Sequence, residues 1–409
     1  MSVTGGLHVP MRARDKSEPH RGSSPLELLF DLTFVVAVSS LSTQLAHEVI
    51  SGHAATAVVP YLMVFFAVWW AWMNFTWFAS AFDTDDVLYR IFTLVQMAGV
   101  LVLAAGVPAA FAHSDFAAAT LGYLIMRVGL VAQWIRAGIE HPDSRRTAWR
   151  YAAGITLVQL GWVLRLLLPA EWGVASFVVL ALLDISVPPW AERTGGTSWH
   201  PGHIAERYGL FVIILLGESV AAATAGMQQA LADRGVTLAL VEVGIAGLVL
   251  LFAIWWIYFL EPVERGLRRR RSLSYYWGYG QGFLFAAIAA VGAGLEVAVE
   301  ATAHAPGIGS VAVGYALAIP LAVLFVLLWA LHRPLLERQE VPGPVLLPAA
   351  AVVLLIPAAA PVLGVAGMVV AFAVVGALVV AATIAIGVHR RRRDIAGTPS
   401  SSAAPGSRD

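Results

Sequence analysis

The sequence predicts an all-α integral membrane protein of about twelve transmembrane helices, arranged as two parallel six-helix repeats. Three observations lead there. Hydrophobic residues make up 59% of the 409 positions and charged residues only 13%, about half the charged share of a soluble domain, with a mean hydropathy of +0.75. The run Phe66-Ala67-Val68-Trp69-Trp70-Ala71-Trp72 returns without a gap as Phe252-Ala253-Ile254-Trp255-Trp256-Ile257-Tyr258, a constant 186 residues on, with Tyr89 falling on Tyr275. Finally, arginines gather in alternate loops, as the preference of positive charge for the cytoplasmic side demands.

A helix needs about 20 apolar residues to cross the hydrocarbon core. On that ruler the spans fall at approximately 26–46, 56–79, 88–111, 117–138, 148–168, 172–190, 204–226, 238–260, 275–298, 309–331, 344–363 and 366–388. Residues 1–24 are polar and basic, without the apolar core of a signal peptide, and read as a disordered cytoplasmic tail. Span one carries Glu27, Asp31, Ser39 and Ser42 within about 120° of each other, a polar stripe that should face the bundle or a water-filled cavity. Span two holds the first aromatic run and span three Gln96. Span four has Arg127 at its middle, where a lone cation is costly, so a pair with Asp31, Asp184 or Glu218 is expected. Span five follows Arg145, Arg146 and Arg150, and span six carries Asp184 ahead of Pro188-Pro189.

A short connector, 191–203, separates the halves 25–190 and 204–388. Its His200-Pro201-Gly202-His203 lacks metal-site spacing and reads as a helix start, with Glu206 near the positive end of the dipole. Span seven places Glu218 and Ser219 near its apolar middle, with Arg207 one or two turns inside. Span eight holds the second aromatic run. Span nine contains Gly278-Tyr279-Gly280, small residues for close helix contact rather than an ion filter, and Gln281 within one position of the register of Gln96. Spans ten to twelve complete the second half, the last two parted near Gly364. The tail 389–409 opens on Arg390 to Arg393 and ends Ser/Ala/Pro-rich.

With twelve spans, both termini are cytoplasmic and every arginine cluster faces inward. An odd count would misplace one. Arg268, Arg269, Arg270 and Arg271, with Arg390, Arg391, Arg392 and Arg393, are expected to meet anionic lipid. Asp83, Asp85 and Asp86 follow span two at the equivalent point, Asp83 in register with Arg269 and Asp85 with Arg271, so a charge latch between the halves is an alternative expectation, weaker than solvated aspartates and lipid-facing arginines. There is no cysteine and a single lysine, Lys16, among 26 basic residues. Thiolate metal sites, disulfides and Schiff-base chemistry are thereby set aside, and no cofactor, metal or nucleic acid is implied.

Glu27-Leu28-Leu29-Phe30-Asp31-Leu32-Thr33-Phe34-Val35 resembles the E-L-F-F-D-L-V-F-V signature of the bacterial low temperature requirement A family. His203 through Ser219 is similar to that family's second signature, E-R-[FY]-G-L-F-V-I-I-x-L-G-E-S. The likeness covers roughly 25–388, with Leu29 in place of a frequent Phe. It implies a polytopic membrane protein associated by name with growth in the cold. It marks Glu27, Phe30, Asp31, His203, Glu206, Arg207, Gly209, Gly217, Glu218 and Ser219 as the matching positions, and it supplies no substrate.

Three function classes remain. A transporter or channel would pass a small ion or solute between the halves, with the intramembrane acids Asp31 and Glu218 coupling or coordinating. A lipid-modifying enzyme would use Asp31, Glu206, Arg207 and Glu218 as an acid–base and anion-binding set. A non-catalytic stress protein would use the acids only for stability. Against the enzyme stand the missing polar loop, nucleophile elbow and metal cluster.

Overall fold

The computed structural model describes residues 8–14, 18, 21–304 and 307–396. The Ser/Ala/Pro-rich end of the chain, Thr398 to Asp409, and Lys16 lie outside those residues. Fourteen α-helices and no strand are found among the described residues. They are α1 (Pro25–Ile50), α2 (Ala54–Phe82), α3 (Val87–Ala105), α4 (Val107–His113), α5 (Ala117–Glu140), α6 (Arg145–Arg165) and α7 (Gly173–Ala191) in the first half. The second half holds α8 (Pro201–Arg234), α9 (Leu238–Phe259), α10 (Val263–Arg269), α11 (Ser274–Ala303), α12 (Ser310–Leu335), α13 (Gly343–Leu355) and α14 (Ala360–Ala396). We refer to the end of the bundle that carries Pro25 as the near end and its opposite as the far end.

Among the described residues ten helical stretches are long and apolar enough to cross a membrane. Each of the twelve expected segments is helical, yet two do not count separately. The fifth, α6, is diluted by Arg145, Arg146, Arg150 and Arg165, and the last two fall inside one apolar stretch, Gly343–Arg393. Gly364 breaks that stretch with φ +64°, a conformation open essentially to glycine alone.

Burial ranks the helices. The most apolar window of α11 is 83% buried, that of α7 only 22%; α11 is the pillar and α7 a peripheral stave. α11 packs on α8, α12, α1 and α2, whereas α9 packs mainly on α14. The two aromatic runs are therefore used oppositely. Trp69, Trp70 and Trp72 are buried between the halves, while Trp255 and Trp256 stand 44% and 42% exposed on the outside.

The segment ahead of α1, expected as a disordered tail, is held down where it is described. The Val9 N–H donates to Asp86 Oδ2 (2.9 Å), the Met11 N–H to Glu140 Oε2 (2.6 Å) and the Arg14 N–H to the Ala81 carbonyl (3.0 Å). The reason is visible in sequence terms: helix ends leave unpaired carbonyls and the loop acids need donors, and a basic strap offers both.

Candidate functional site

The start of α1 does two jobs at once. Ser24 Oγ accepts from the Glu27 N–H (3.3 Å) and the Ser24 N–H donates back to Glu27 Oε2 (2.8 Å), a reciprocal cap that starts the helix. Capping leaves the other oxygen of Glu27 turned into the bundle, with Asp31 one turn on along the same face. α8 starts in a comparable way. Pro201 takes the first helical position and His200 Nδ1 accepts from the His203 N–H (3.2 Å), which brings His203 and Arg207 up against α1.

There the two halves are tied. Arg207 donates from Nε to Asp31 Oδ2 (3.0 Å), from Nη2 to Asp31 Oδ1, and from Nη1 to Glu27 Oε1 (2.9 Å). Trp72 Nε1 donates to Asp31 Oδ1 at 2.7 Å. His203 Nε2 lies 3.1 Å from Glu27 Oε1, without the alignment of a hydrogen bond. None of Glu27, Asp31, His203 and Arg207 is more than 1% exposed. A second arginine stands behind them. Arg21 Nη2 is 3.9 Å from Glu27 and 3.6 Å from Asp83, and it donates to the Ala79 carbonyl (2.7 Å) at the end of α2. An isolated charge held here would cost several kcal/mol. The knot is tolerated because two acids meet two arginines and all three kinds of guanidinium nitrogen on Arg207 are used.

Arg207, not Arg127, is thus the partner of Asp31. Arg127 reaches an acid only indirectly: its Nη2 donates to Tyr123 Oη, which donates to Asp184 Oδ2 (2.8 Å), an oxygen that also accepts from Trp162 Nε1 (2.9 Å). The guanidinium lies over the Tyr123 ring, 4.5 Å from its centre, and its Nε and Nη1 have no hydrogen-bond partner among the described residues. This group lies inside the first half. Glu206 faces elsewhere again, accepting from the Ser23 N–H (3.1 Å). Gln96 bonds Gln133 (3.0 Å) and Gln281 accepts from Tyr258 (3.4 Å), plain bridges between helices.

The expected latch does not form. Asp83 faces Arg14 and Arg21, Asp85 pairs with Arg90, and Asp86 is forked by Arg136, with Nη1 to Oδ1 at 2.7 Å. Across the bundle Arg268 takes Glu264, Arg269 takes Glu337, Arg270 the Pro334 carbonyl and Arg271 the Trp199 carbonyl. Each set finds nearer partners than the other. Arg390 likewise bonds the Gln339 carbonyl at 2.9 Å.

Glu218 lies midway along α8, about three turns beyond the knot, and faces a different space. With Ser39, Ser40, Thr43 and Gln44 of α1, and Val35 and Val36, it lines a recess of about 410 Å³. Ser219 is buried and spends its hydroxyl on the Leu215 carbonyl (3.0 Å). Here α8 meets α11 closely: a Cβ on Gly292 would lie 2.5 Å from Ser219 Oγ. One turn along α11 sits Glu296, whose Oε2 has no partner among the described residues. The sequence reading passed over Glu296, although the signal that picked out Glu218, an acid inside an apolar helix, is equally plain in Leu295-Glu296-Val297. No group of three metal-ligating side chains occurs among the described residues.

Residues 22–385 match the family model described as bacterial low temperature requirement A protein. The chain is also 27% identical, over 277 residues, to an uncharacterized protein of Rhizobium meliloti. That match spans 65% of each chain, a little under two thirds of the relative's length.

Proposed function

The chain belongs to the bacterial low temperature requirement A family of multi-pass membrane proteins, and on that premise we propose that it moves a small ion or solute across the cell membrane. The observation that carries the reading is the recess beside Glu218. Hydroxyls and an amide from α1 converge with one carboxylate of α8 at mid-helix depth, where polar groups are costly unless they line a path. Glu218 is the coordinating acid in this scheme, and Ser39, Ser40, Thr43 and Gln44 supply neutral oxygens. Glu27, Asp31 and Arg207 hold the halves together around the path. Two six-helix repeats of one orientation, twelve spans in all, with both termini cytoplasmic, complete the scheme and agree with the arginine-rich loops at the near end. An enzymatic set is not favoured, because none of Asp31, Glu206 and Arg207 lines the recess that Glu218 lines.

The test is flux in proteoliposomes under imposed proton and potassium gradients. Glu218→Gln should lower the flux at least about tenfold while melting as the parent does. Asp31→Asn should instead lower the melting temperature. Flux no greater than in empty vesicles, or flux indifferent to Glu218→Gln, would reject the proposal and favour a non-transporting stress protein.

A further inference from the structure

Between the halves at the near end lies a second, smaller cavity, of about 30 Å³, lined by Trp77, Trp134, Tyr151, Tyr275, Tyr279 and Glu192, with Asn74 and Thr197 among its other walls. Glu192 is held by neutral donors alone. Tyr151 Oη and Thr197 Oγ1 donate to its Oε1 at 3.1 and 2.7 Å, and Tyr275 Oη donates to its Oε2 at 2.7 Å. No arginine or histidine lies within ion-pair distance of it among the described residues, unlike Glu27, Asp31, Asp83 and Asp86.

Most of the remaining lining donors are engaged elsewhere. Tyr279 Oη donates to the Ile185 carbonyl (3.2 Å), Trp77 Nε1 to Tyr208 Oη (3.0 Å), and Asn74 Nδ2 to the Trp70 carbonyl (2.8 Å). Only Trp134 Nε1 is a donor without a partner, and Trp134 is stacked on Tyr151 at 4.0 Å. What the walls offer the cavity is therefore mainly negative: one carboxylate, one amide oxygen, hydroxyl lone pairs and the faces of aromatic rings, against the Trp134 N–H and one N–H of Asn74. Such a lining attracts cations.

We propose that this cavity is a binding site for a small ammonium-type cation, ammonium or methylammonium, with Glu192 as its counter-ion and the Trp and Tyr rings as its walls. Size and donor chemistry select the class. A water-sized group needs about 10–15 Å³ of such room, so the cavity admits about two heavy atoms. Choline is too large. An ion that demands a full shell of oxygens finds few here, whereas N–H groups can bond Glu192 and the Asn74 oxygen and lie against rings. The site is separate from the Glu218 recess and is read without a gradient, so it stands or falls independently of transport.

The experiment is thermal unfolding of the purified full chain in detergent, titrated with methylammonium chloride against choline chloride at matched ionic strength, with tryptophan fluorescence recorded alongside. A saturable rise in melting temperature with methylammonium but not choline is expected. In Glu192→Gln, which keeps the shape but replaces the charge and one acceptor oxygen by a neutral amide, the half-saturating concentration should rise about tenfold or more. Trp77→Phe, which shrinks one ring of the wall, should weaken binding less than Glu192→Gln does and diminish the fluorescence change. A cavity that holds water only would give no saturable response, and that overturns the proposal. So would an equal response to choline, an unchanged response in Glu192→Gln, or a response to potassium alone.

Discussion

At the residue scale, the chemistry concentrates on Arg207. It gives Asp31 a two-pronged contact and Glu27 a third bond, which only a planar guanidinium can do; a lysine would meet one acid at a time. Removing one partner of a buried pair costs about 3–5 kcal/mol, because the charge left behind is unpaired. Asp31→Asn should therefore lower the unfolding free energy by that order, and Arg207→Lys should fail to substitute; equal stability of either with the parent would contradict the account. Trp72→Phe removes the indole donor to Asp31 Oδ1 and leaves a void beside Tyr208, Phe211 and Phe285, and should cost about 2–4 kcal/mol. The loop acids add a pH dependence of known sign. Burial and the nearby Glu27 carboxylate push Asp83 up to about 6, against Arg21 and Arg14. Unfolded, it titrates near 3.9. Between about pH 4 and 6 the folded chain keeps a proton that the unfolded chain has lost, so this group's contribution falls as pH rises and stays lower above 6. Asp83→Asn should gain melting temperature relative to the parent from pH 4 to 7; a flat difference would count against it. At Asp86 burial also pushes upward but is outweighed by Arg136 and by the Val9 and Tyr89 N–H groups, which bring it to about 2. Its contribution is present above about pH 4 and fades as pH falls towards 2.

Elements are set by close approach and by one break. α3 and α5 touch through glycines: a Cβ on Gly122 would sit 2.3 Å from the Leu103 nitrogen and 2.6 Å from the Gly99 carbonyl oxygen. These are backbone atoms and cannot yield, so Gly122→Ala should separate the helices and destabilise by about 1–3 kcal/mol. Gly364 is the opposite case. Nothing lies within 4 Å of its missing Cβ, so Gly364→Ala would be penalised by backbone conformation alone, about 1–3 kcal/mol. Gly387→Ala, in helix with equally open space, should gain about 0.5–1 kcal/mol. Paired melting curves of the two variants separate a backbone effect from a packing one. The helices themselves were legible in the chain, because the bilayer demands apolar length and caps such as Ser24 and His200 announce where each begins. α6 is the weak case: the sequence counts it as the fifth span, yet it is not among the ten stretches of the described residues that are long and apolar enough to cross. The duty of each aromatic run was not legible: sequence identity between Phe66–Trp72 and Phe252–Tyr258 says nothing of which one is buried.

For the whole molecule, the two signature segments, read separately in the sequence, turn out to be the two sides of one contact. Glu27 and Asp31 stand in the first, His203 and Arg207 in the second. Their types were legible as costly intramembrane charges, but their partnership was not, because nothing in local spacing says which helices are neighbours; the expectation fell on Arg127 at mid-span, and Arg207 was not weighed as a partner. Glu192 was missed for a related reason. It reads as an ordinary connector acid beside Arg193, and only the packing of α2, α5, α6 and α11 around it reveals aromatic walls.

The separation of that contact along the chain, 176 residues between Asp31 and Arg207, also sets a clock. At about 5–20 residues per second, the ribosome delivers the arginine roughly 10–35 s after the acids. During that interval α1 carries two carboxylates with Arg21 alone beside them, so its final seating must wait for the second half. Nascent first halves are then the vulnerable species. Residues 1–190 expressed alone should be degraded quickly and should be rescued by 191–409 supplied as a separate polypeptide, but not by the same fragment bearing Arg207→Met. A pulse-chase of the first fragment, alone and with its partner, reads the lifetime of the unpaired half.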